Sequence, residues 1–155
     1  MRRHCRGFTL LELMIVIVLI GVLLGMVSFA TGPSPVRQAR QEADAIVRMI
    51  HQLRERAVLA GQEHGLRLSV DGYRAMRLEG RGWEPVTALY RWPENLRLRL
   101  EQDGHTVHLG VDEGPPQLLI LSSDETSAFT LTFATREATW LSLSSDGIGE
   151  PVIDG

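Results

Sequence analysis

The N-terminal part of the chain carries a long apolar run with a single charged residue. From Phe8 to Ala30 the only ionisable side chain is that of Glu12. A helix over residues 8–30 would be roughly 34 Å long at about 1.5 Å per residue, and the hydrocarbon core of a bilayer is ~30 Å thick. We therefore predict a transmembrane helix over residues 8–30.

A second helix is predicted after Val36, where apolar residues recur every three or four positions. The opposite face carries mostly charged residues, and Gly61 provides a stop signal. The spacing would also suit a coiled coil, but the many alanines favour close packing against a sheet. We predict an amphipathic helix over residues 36–61. Its apolar stripe consists of Val36, Ala39, Ala43, Ile46, Ile50, Leu53, Ala57 and Ala60.

After Gly61 the apolar period changes from about 3.6 to two, which is typical of strands. For residues 62–155 we predict seven or eight antiparallel strands, in one curled sheet or split into two sheets. Asp-Gly pairs at 71–72, 103–104 and 146–147 indicate turns, the last followed by a short tail. The resulting fold class is α+β, with the amphipathic helix packed on an antiparallel sheet or β-sandwich. The predicted strands are Leu66–Val70, Tyr73–Leu78, Leu96–Leu100, Thr106–Val111, Leu118–Leu121, Phe129–Phe133 and Trp140–Leu143.

The two helices are separated by a proline-containing segment, residues 31–35. Pro33 and Pro35 each lack an amide donor, and residues that precede proline avoid helical angles. We expect a break or sharp kink here, and the residues leave open whether one helix continues through Pro33 and Pro35. Residues 36–155 would then form one domain of ordinary size, able to bury a core unaided.

Charge is distributed unevenly around the apolar run. Arg2, Arg3 and Arg6 precede it and no acid does, so the N-terminus should stay cytoplasmic and the body should cross the membrane. The 155-residue chain has 16 basic residues, all arginine, and 19 acidic ones; without residues 1–7 it keeps 13 basic residues and a net charge of −6. An acidic body argues against nucleic acid as a main partner.

Two features of the apolar run suggest partners. A carboxylate such as Glu12 is unfavourable in a bilayer, so it either reaches the headgroups as a boundary residue or meets a cation elsewhere. Gly21 and Gly25 form a small-xxx-small pair, which lets membrane helices approach closely. Glycine is also common in membrane helices without such a role.

The sequence Gly7-Phe8-Thr9-Leu10-Leu11-Glu12, after a short basic leader, resembles the N-terminus of type IV pilins and type II secretion pseudopilins. The resemblance implies that a prepilin peptidase cuts after Gly7 and that the new N-terminal residue, Phe8, is N-methylated. It also implies that Glu12 pairs with a neighbouring subunit's N-terminal ammonium during filament assembly. Residues 1–7, including the only cysteine, Cys5, would leave with the leader.

The alternative is an ordinary secretory signal peptide, with Ser28-Phe29-Ala30 as its cleavage site and a secreted periplasmic enzyme behind it. Against this, the apolar run exceeds the usual 7–15 residues and contains Glu12. No glycine-rich phosphate loop or nucleophile elbow supports an enzyme.

The body is similar to the H-type minor pseudopilin of type II secretion, with the FimT-type minor pilin of type IV pili as the alternative. This resemblance implies a non-enzymatic subunit of the periplasmic pseudopilus, without a cofactor, that helps export folded proteins across the outer membrane. Its partners would be other major and minor pseudopilins, the prepilin peptidase/methyltransferase, the inner-membrane assembly platform and membrane lipid. The similar segments are the arginine-rich helix ending at Gly61, residues 63–67, residues 71–74, Trp83, residues 93–100 and residues 119–123.

The polar residues of the body predict no metal site. The histidines lack zinc-ligand spacing, and the acidic pairs Asp112-Glu113 and Asp124-Glu125 lack the dense oxygen pattern that calcium needs. We interpret these pairs as solvated loop charge. The loop Gly110–Gln117, with two consecutive prolines, is long enough to contact another subunit, although such loops are commonly connectors.

Overall fold

The computed structural model describes residues 9–29, 34–135 and 138–155. The chain divides into two compact units, and the boundary falls between Ser34 and Pro35. The described residues form two helices, α1 (Leu10–Phe29) and α2 (Pro35–Ala60). They also form ten strands: β1 (His64–Leu68), β2 (Gly72–Glu79), β3 (Gly82–Pro85), β4 (Tyr90–Arg91), β5 (Arg97–Gln102), β6 (His105–Val107), β7 (Leu118–Ile120), β8 (Phe129–Ala134), β9 (Thr139–Ser145) and β10 (Val152–Asp154).

Helix α1 belongs to the first unit, and apart from Glu12 its residues from Leu10 to Leu23 are apolar on all sides. Within this chain, all side chains from Leu10 to Leu23 are exposed. Among the residues that the structure describes, no helix reaches the length and apolar character needed to span a membrane. The transmembrane helix predicted over residues 8–30 extends past the described residues at both ends, and it stays a prediction. The same holds for the break over residues 31–35, because residues 30–33 lie outside the described ranges.

Helix α2 begins at Pro35, whose fixed φ and missing N–H suit a first helical position. It ends before Gly61, which adopts a left-handed φ of 59°, and the Gln62 N–H donates to the Ala57 C=O at 3.1 Å. The ends of the predicted stripe, at Val36 and Ala60, are exposed. Its buried part consists of Ala39, Ala43, Ile46, Ile50, Leu53 and Ala57.

The strands form two antiparallel sheets of five strands each. The first sheet has the order β3-β2-β1-β7, with β4 paired to the other end of β2. The second has the order β10-β9-β8-β5-β6. The buried face of α2 contacts β1 and β7 of the first sheet and β9 of the second. Helix and sheets thus enclose one apolar core, which includes Leu66 and Leu68 on one side and Leu131 and Phe133 on the other.

The predicted α+β class, with a helix packed on antiparallel sheets, is confirmed, and the coiled-coil alternative for α2 is wrong. The predicted number of seven or eight strands is too low. Strands β3, β4 and β10 were not predicted, because they are short strands with mostly exposed residues at the margins of the sheets. An edge strand of two to four residues has no clear apolar alternation.

Two predicted strands extend further towards the C-terminus than the observed ones. β1 ends at Leu68 and β6 ends at Val107, whereas the alternation suggested Val70 and Val111. The chain leaves β1 and β6 at these points, and beyond them the Val70 N–H donates to the Gly110 C=O at 2.9 Å. This bond links the β1–β2 loop to the segment that follows β6. The predicted turn at residues 103–104 is confirmed, with left-handed φ angles of 51° and 75°.

Candidate functional site

The sequence places the candidate site at the start of α1. The predicted cleavage pair, Gly7 and Phe8, lies outside the described residues, so cleavage and methylation there stay predictions. Glu12 lies in the first turn of α1 and is exposed. An acidic residue in the first turn interacts favourably with the positive end of the helix dipole.

Thr9 caps the helix that carries Glu12. The Glu12 N–H donates to Thr9 Oγ1 at 3.3 Å, and the Thr9 C=O accepts from the Glu12 and Leu13 N–H groups at 3.0 and 3.2 Å. A threonine followed three residues later by a glutamate is the sequence signature of a capping box. This pattern is visible in the sequence and could have predicted the cap. The cap fixes where the helix begins and therefore where Glu12 lies along it.

The Glu12 carboxylate itself makes no hydrogen bond or ion pair with any residue in the described ranges. An ionised carboxylate is an acceptor with two oxygens, and its hydrogen bonds to a charged donor are stronger than those to a neutral one. The described residues therefore leave the carboxylate available to a cation.

The predicted helix-packing glycines both lie within α1. A Cβ added to Gly21 would meet no atom of the described residues within 4 Å. Gly21 therefore packs against none of them. Its pairing with Gly25 against a second helix stays a prediction.

The loop between β6 and β7 is held to the first sheet by one carboxylate and two arginines. Asp112 Oδ1 accepts from Arg67 Nε at 2.8 Å, and Arg74 Nη2 is paired with Asp112 Oδ2. The Asp112 side chain is 16% exposed and that of Arg67 is 9% exposed. We call Asp112, Arg67 and Arg74 the clasp. The interpretation of Asp112 as solvated loop charge is wrong, because the clasp takes this carboxylate out of water.

Further contacts hold the same loop in place. Arg67 Nη1 donates to the Gly114 C=O at 2.5 Å, and Gln117 Oε1 accepts from the Leu68 N–H at 2.8 Å. Pro116 lies over Gly65 of β1, where no side chain larger than hydrogen fits. The loop Gly110–Gln117 is therefore anchored to the first sheet, while Gly110, Val111 and residues 113–115 are exposed.

Three further polar residues from the histidines and acidic pairs have structural partners. His64 is buried and its Nδ1 lies 2.9 Å from the Gln62 C=O, and His51 Nε2 lies 2.5 Å from Glu150 Oε2. Asp124 accepts from Arg54 Nε at 3.0 Å. In the part of the chain that the structure describes, no group of three or more His, Cys, Asp or Glu side chains could hold a metal ion.

Comparison with known proteins addresses the same N-terminal segment and the whole chain. A family model described as "Prokaryotic N-terminal methylation motif" matches residues 2–28. Type II secretion system protein H of Pseudomonas aeruginosa is 41% identical, over 98% of this chain and 97% of the relative. Type II secretion system protein H of Vibrio cholerae is 31% identical, over 82% of this chain and 81% of the relative.

Solved structures give the same result for the fold. The crystal structure of the minor pseudopilin EpsH from the type II secretion system of Vibrio cholerae superposes with a TM-score of 0.66. It is 27% identical, over 79% of this chain and 98% of that structure. The predicted resemblance to H-type minor pseudopilins is thereby confirmed.

Proposed function

The chain belongs to the type II secretion system protein H family and is a minor pseudopilin, and we propose that it is a non-enzymatic subunit incorporated into the pseudopilus through Glu12. The observation that supports this role is the Glu12 carboxylate at the start of an exposed apolar helix, where no described residue is its partner. The pseudopilus in turn helps export folded proteins across the outer membrane.

Maturation is the first step of the proposal. The prepilin peptidase/methyltransferase removes residues 1–7 and methylates the amine of Phe8. The match to the N-terminal methylation motif over residues 2–28 supports this step. Cleavage also removes three arginines, so the charge that would hold the N-terminus on the cytoplasmic side is lost before assembly.

Membrane anchoring is the second step. Residues 8–30 hold the protein in the inner membrane as a single pass, with the N-terminus cytoplasmic and residues 36–155 periplasmic. The inner-membrane assembly platform then moves the helix from lipid into the growing pseudopilus. Because full burial of one large apolar side chain is worth about 1.5–3 kcal/mol, the exposed apolar surface of α1 needs lipid or other helices around it.

Pairing of Glu12 is the third step. A methylated amine keeps its positive charge, so the Phe8 ammonium of an adjacent major or minor pseudopilin can donate hydrogen bonds to the Glu12 carboxylate. In a low-dielectric environment an unpaired carboxylate is costly, and this pair removes that cost. Helix packing at Gly21 and Gly25 would bring the two helices close enough for the pair to form.

The substitution Glu12→Ala tests the pairing. We expect membrane insertion and folding to be unchanged and incorporation into cross-linked, sheared filaments to fall at least tenfold. Glu55→Ala is the matched control, because it removes an exposed glutamate from α2 and should incorporate normally. Normal incorporation of Glu12→Ala would refute the pairing.

The intact mass of the mature protein tests the maturation separately. A chain that starts at Phe8 and carries one extra methyl group supports a filament subunit. A chain that starts at Thr31 would instead show ordinary secretion. A chain that retains residues 1–7 would have no free amine on Phe8, and the proposed pairing could not form.

A further inference from the structure

A groove of about 500 Å³ lies between the two sheets beside the β5–β6 hairpin. It is lined by the first half of β5, by the end of β6 with the segment after it, by the β1–β2 loop, and by Trp92, Glu94 and Leu96 before β5. The Val70 N–H donates to the Gly110 C=O, and Trp92 Nε1 donates to the Ser69 C=O at 2.9 Å. The first of these bonds ties the chain after β6 to the β1–β2 loop, so that this chain does not continue beside β5.

The groove exposes an unpaired strand edge. Along one edge, β8 pairs with β5 from Arg97 to Glu101, but along the other edge β6 pairs only with Leu100–Gln102. In antiparallel sheets, successive residues turn their N–H and C=O groups to opposite edges. Gln102 and His105 flank the two-residue turn and form a hydrogen-bonded pair, so the backbone groups of Gln102 point towards β6. Leu98 lies four residues earlier in β5, and its backbone groups therefore point to the same edge. Within the described residues, no strand lies opposite Leu98 there.

The side chains of β5 along this edge alternate between the two faces of the sheet. Leu98 is half-buried and lies opposite Phe133 of β8, on the face that lines the core. Arg97 and Arg99 lie on the other face, are exposed, and make no ion pair with any described residue. A strand added beside β5 would therefore place alternate side chains next to Leu98 and the intervening ones next to the two arginines.

We propose that this edge binds an extended segment of a partner protein in which apolar residues alternate with aspartate or glutamate. The segment adds a strand to β5 opposite Arg97–Arg99, so that its backbone bonds Leu98. Its apolar side chains enter the groove, and its carboxylates pair with Arg97 and Arg99. Such a segment needs only about 10 Å of extended chain, which corresponds to three residues. This binding does not depend on the role of Glu12.

The test uses the full chain in detergent micelles and a fluorescein-labelled seven-residue peptide of alternating valine and glutamate. Fluorescence anisotropy should show saturable binding. The same peptide with N-methylated central amides cannot add as a strand and should bind at least tenfold more weakly. An alternating valine–lysine peptide should not bind measurably. Equal binding of the N-methylated peptide, or no binding of the parent peptide, would overturn the proposal.

The double substitution Arg97→Glu with Arg99→Glu tests the charge pairing. Two exposed ion pairs together account for a change in affinity of about fivefold to tenfold, so the variant should lose at least that much. The matched control is Arg81→Glu in the β2–β3 turn, which should bind like the unchanged chain. Unchanged binding by the double variant would overturn the charge pairing.

Hydrogen–deuterium exchange locates the contact. On peptide binding, the Leu98 amide should exchange more slowly, whereas the amides of α2 should not change. Slowing elsewhere with no change at Leu98 would contradict strand addition. If the protein forms dimers without the peptide and the peptide dissociates them, a second copy of this chain would occupy the groove. That result would refute binding of a different partner protein.

Discussion

The clasp gives a sharp prediction about stability, because Asp112→Ala leaves two arginines without their shared carboxylate. The Arg67 side chain is 9% exposed and that of Arg74 is 21% exposed, so water replaces the lost bonds only in part. Arg74 Nε already lacks a hydrogen-bond partner in the part of the chain that is described. Removing one member of a buried ion pair costs about 3–5 kcal/mol. Because this clasp is partly exposed, we expect the free energy of unfolding to fall by about 2–4 kcal/mol.

The assay is urea unfolding of the full chain in detergent micelles, followed by near-ultraviolet circular dichroism. Glu113→Ala is the matched control, since it removes the neighbouring exposed carboxylate and should change stability by no more than about 0.5 kcal/mol. Asp112→Asn should lie between the two, because it keeps an acceptor and loses the charge. If Asp112→Ala and Glu113→Ala were equally stable, the clasp would contribute nothing to folding, and the reasoning from burial would be wrong.

Two further changes test other contacts. Gly65→Ala should destabilise the fold by about 1–3 kcal/mol in the same assay, because the added Cβ would lie 2.4 Å from Pro116 Cγ; unchanged stability would show that the loop moves freely over β1. Burial, followed by the nearby Glu42 carboxylate, raises the pKa of Tyr73 to about 12 from an ordinary 10. The neutral phenol thus stabilises the fold below pH 10, and this contribution of roughly 1–2 kcal/mol is lost as the pH rises towards 12. Tyr73→Phe should flatten that alkaline loss, and an unchanged pH profile would contradict it.

Local sequence patterns predicted the helical part of the fold well. The core positions of α2 follow from spacing alone, because a helix that packs on a sheet must present one apolar face every three or four residues. The turn at Asp103-Gly104 was equally predictable, since its backbone angles demand such residues. The splitting into two sheets was anticipated, but the strand order depends on contacts between distant residues.

The clasp shows why the remainder could not be read from the sequence. Asp112 lies 45 residues from Arg67, and nothing in either local pattern indicates that they meet. An acidic pair in a loop is usually solvated, and burial alone distinguishes Asp112 from the exposed Glu113 beside it. The groove beside β5 escaped prediction for the same reason, because it exists only where the chain after β6 turns to the first sheet.

Glu12 differs from these cases, because its candidate role was predicted from the sequence. Its contacts in this chain explain its place at the helix start but not the apolar surface beside it. The capping pattern with Thr9 accounts for a glutamate at this position in any helix, whether or not a filament forms. Capping alone, however, gives no reason for the apolar surface that follows from Leu10 to Leu23. A carboxylate that heads such a surface is costly when the surface is covered, unless it is protonated or pairs with a cation. Since no described residue of the chain pairs with the Glu12 carboxylate, the proposed assembly predicts that the subunit that covers α1 also brings the positive charge.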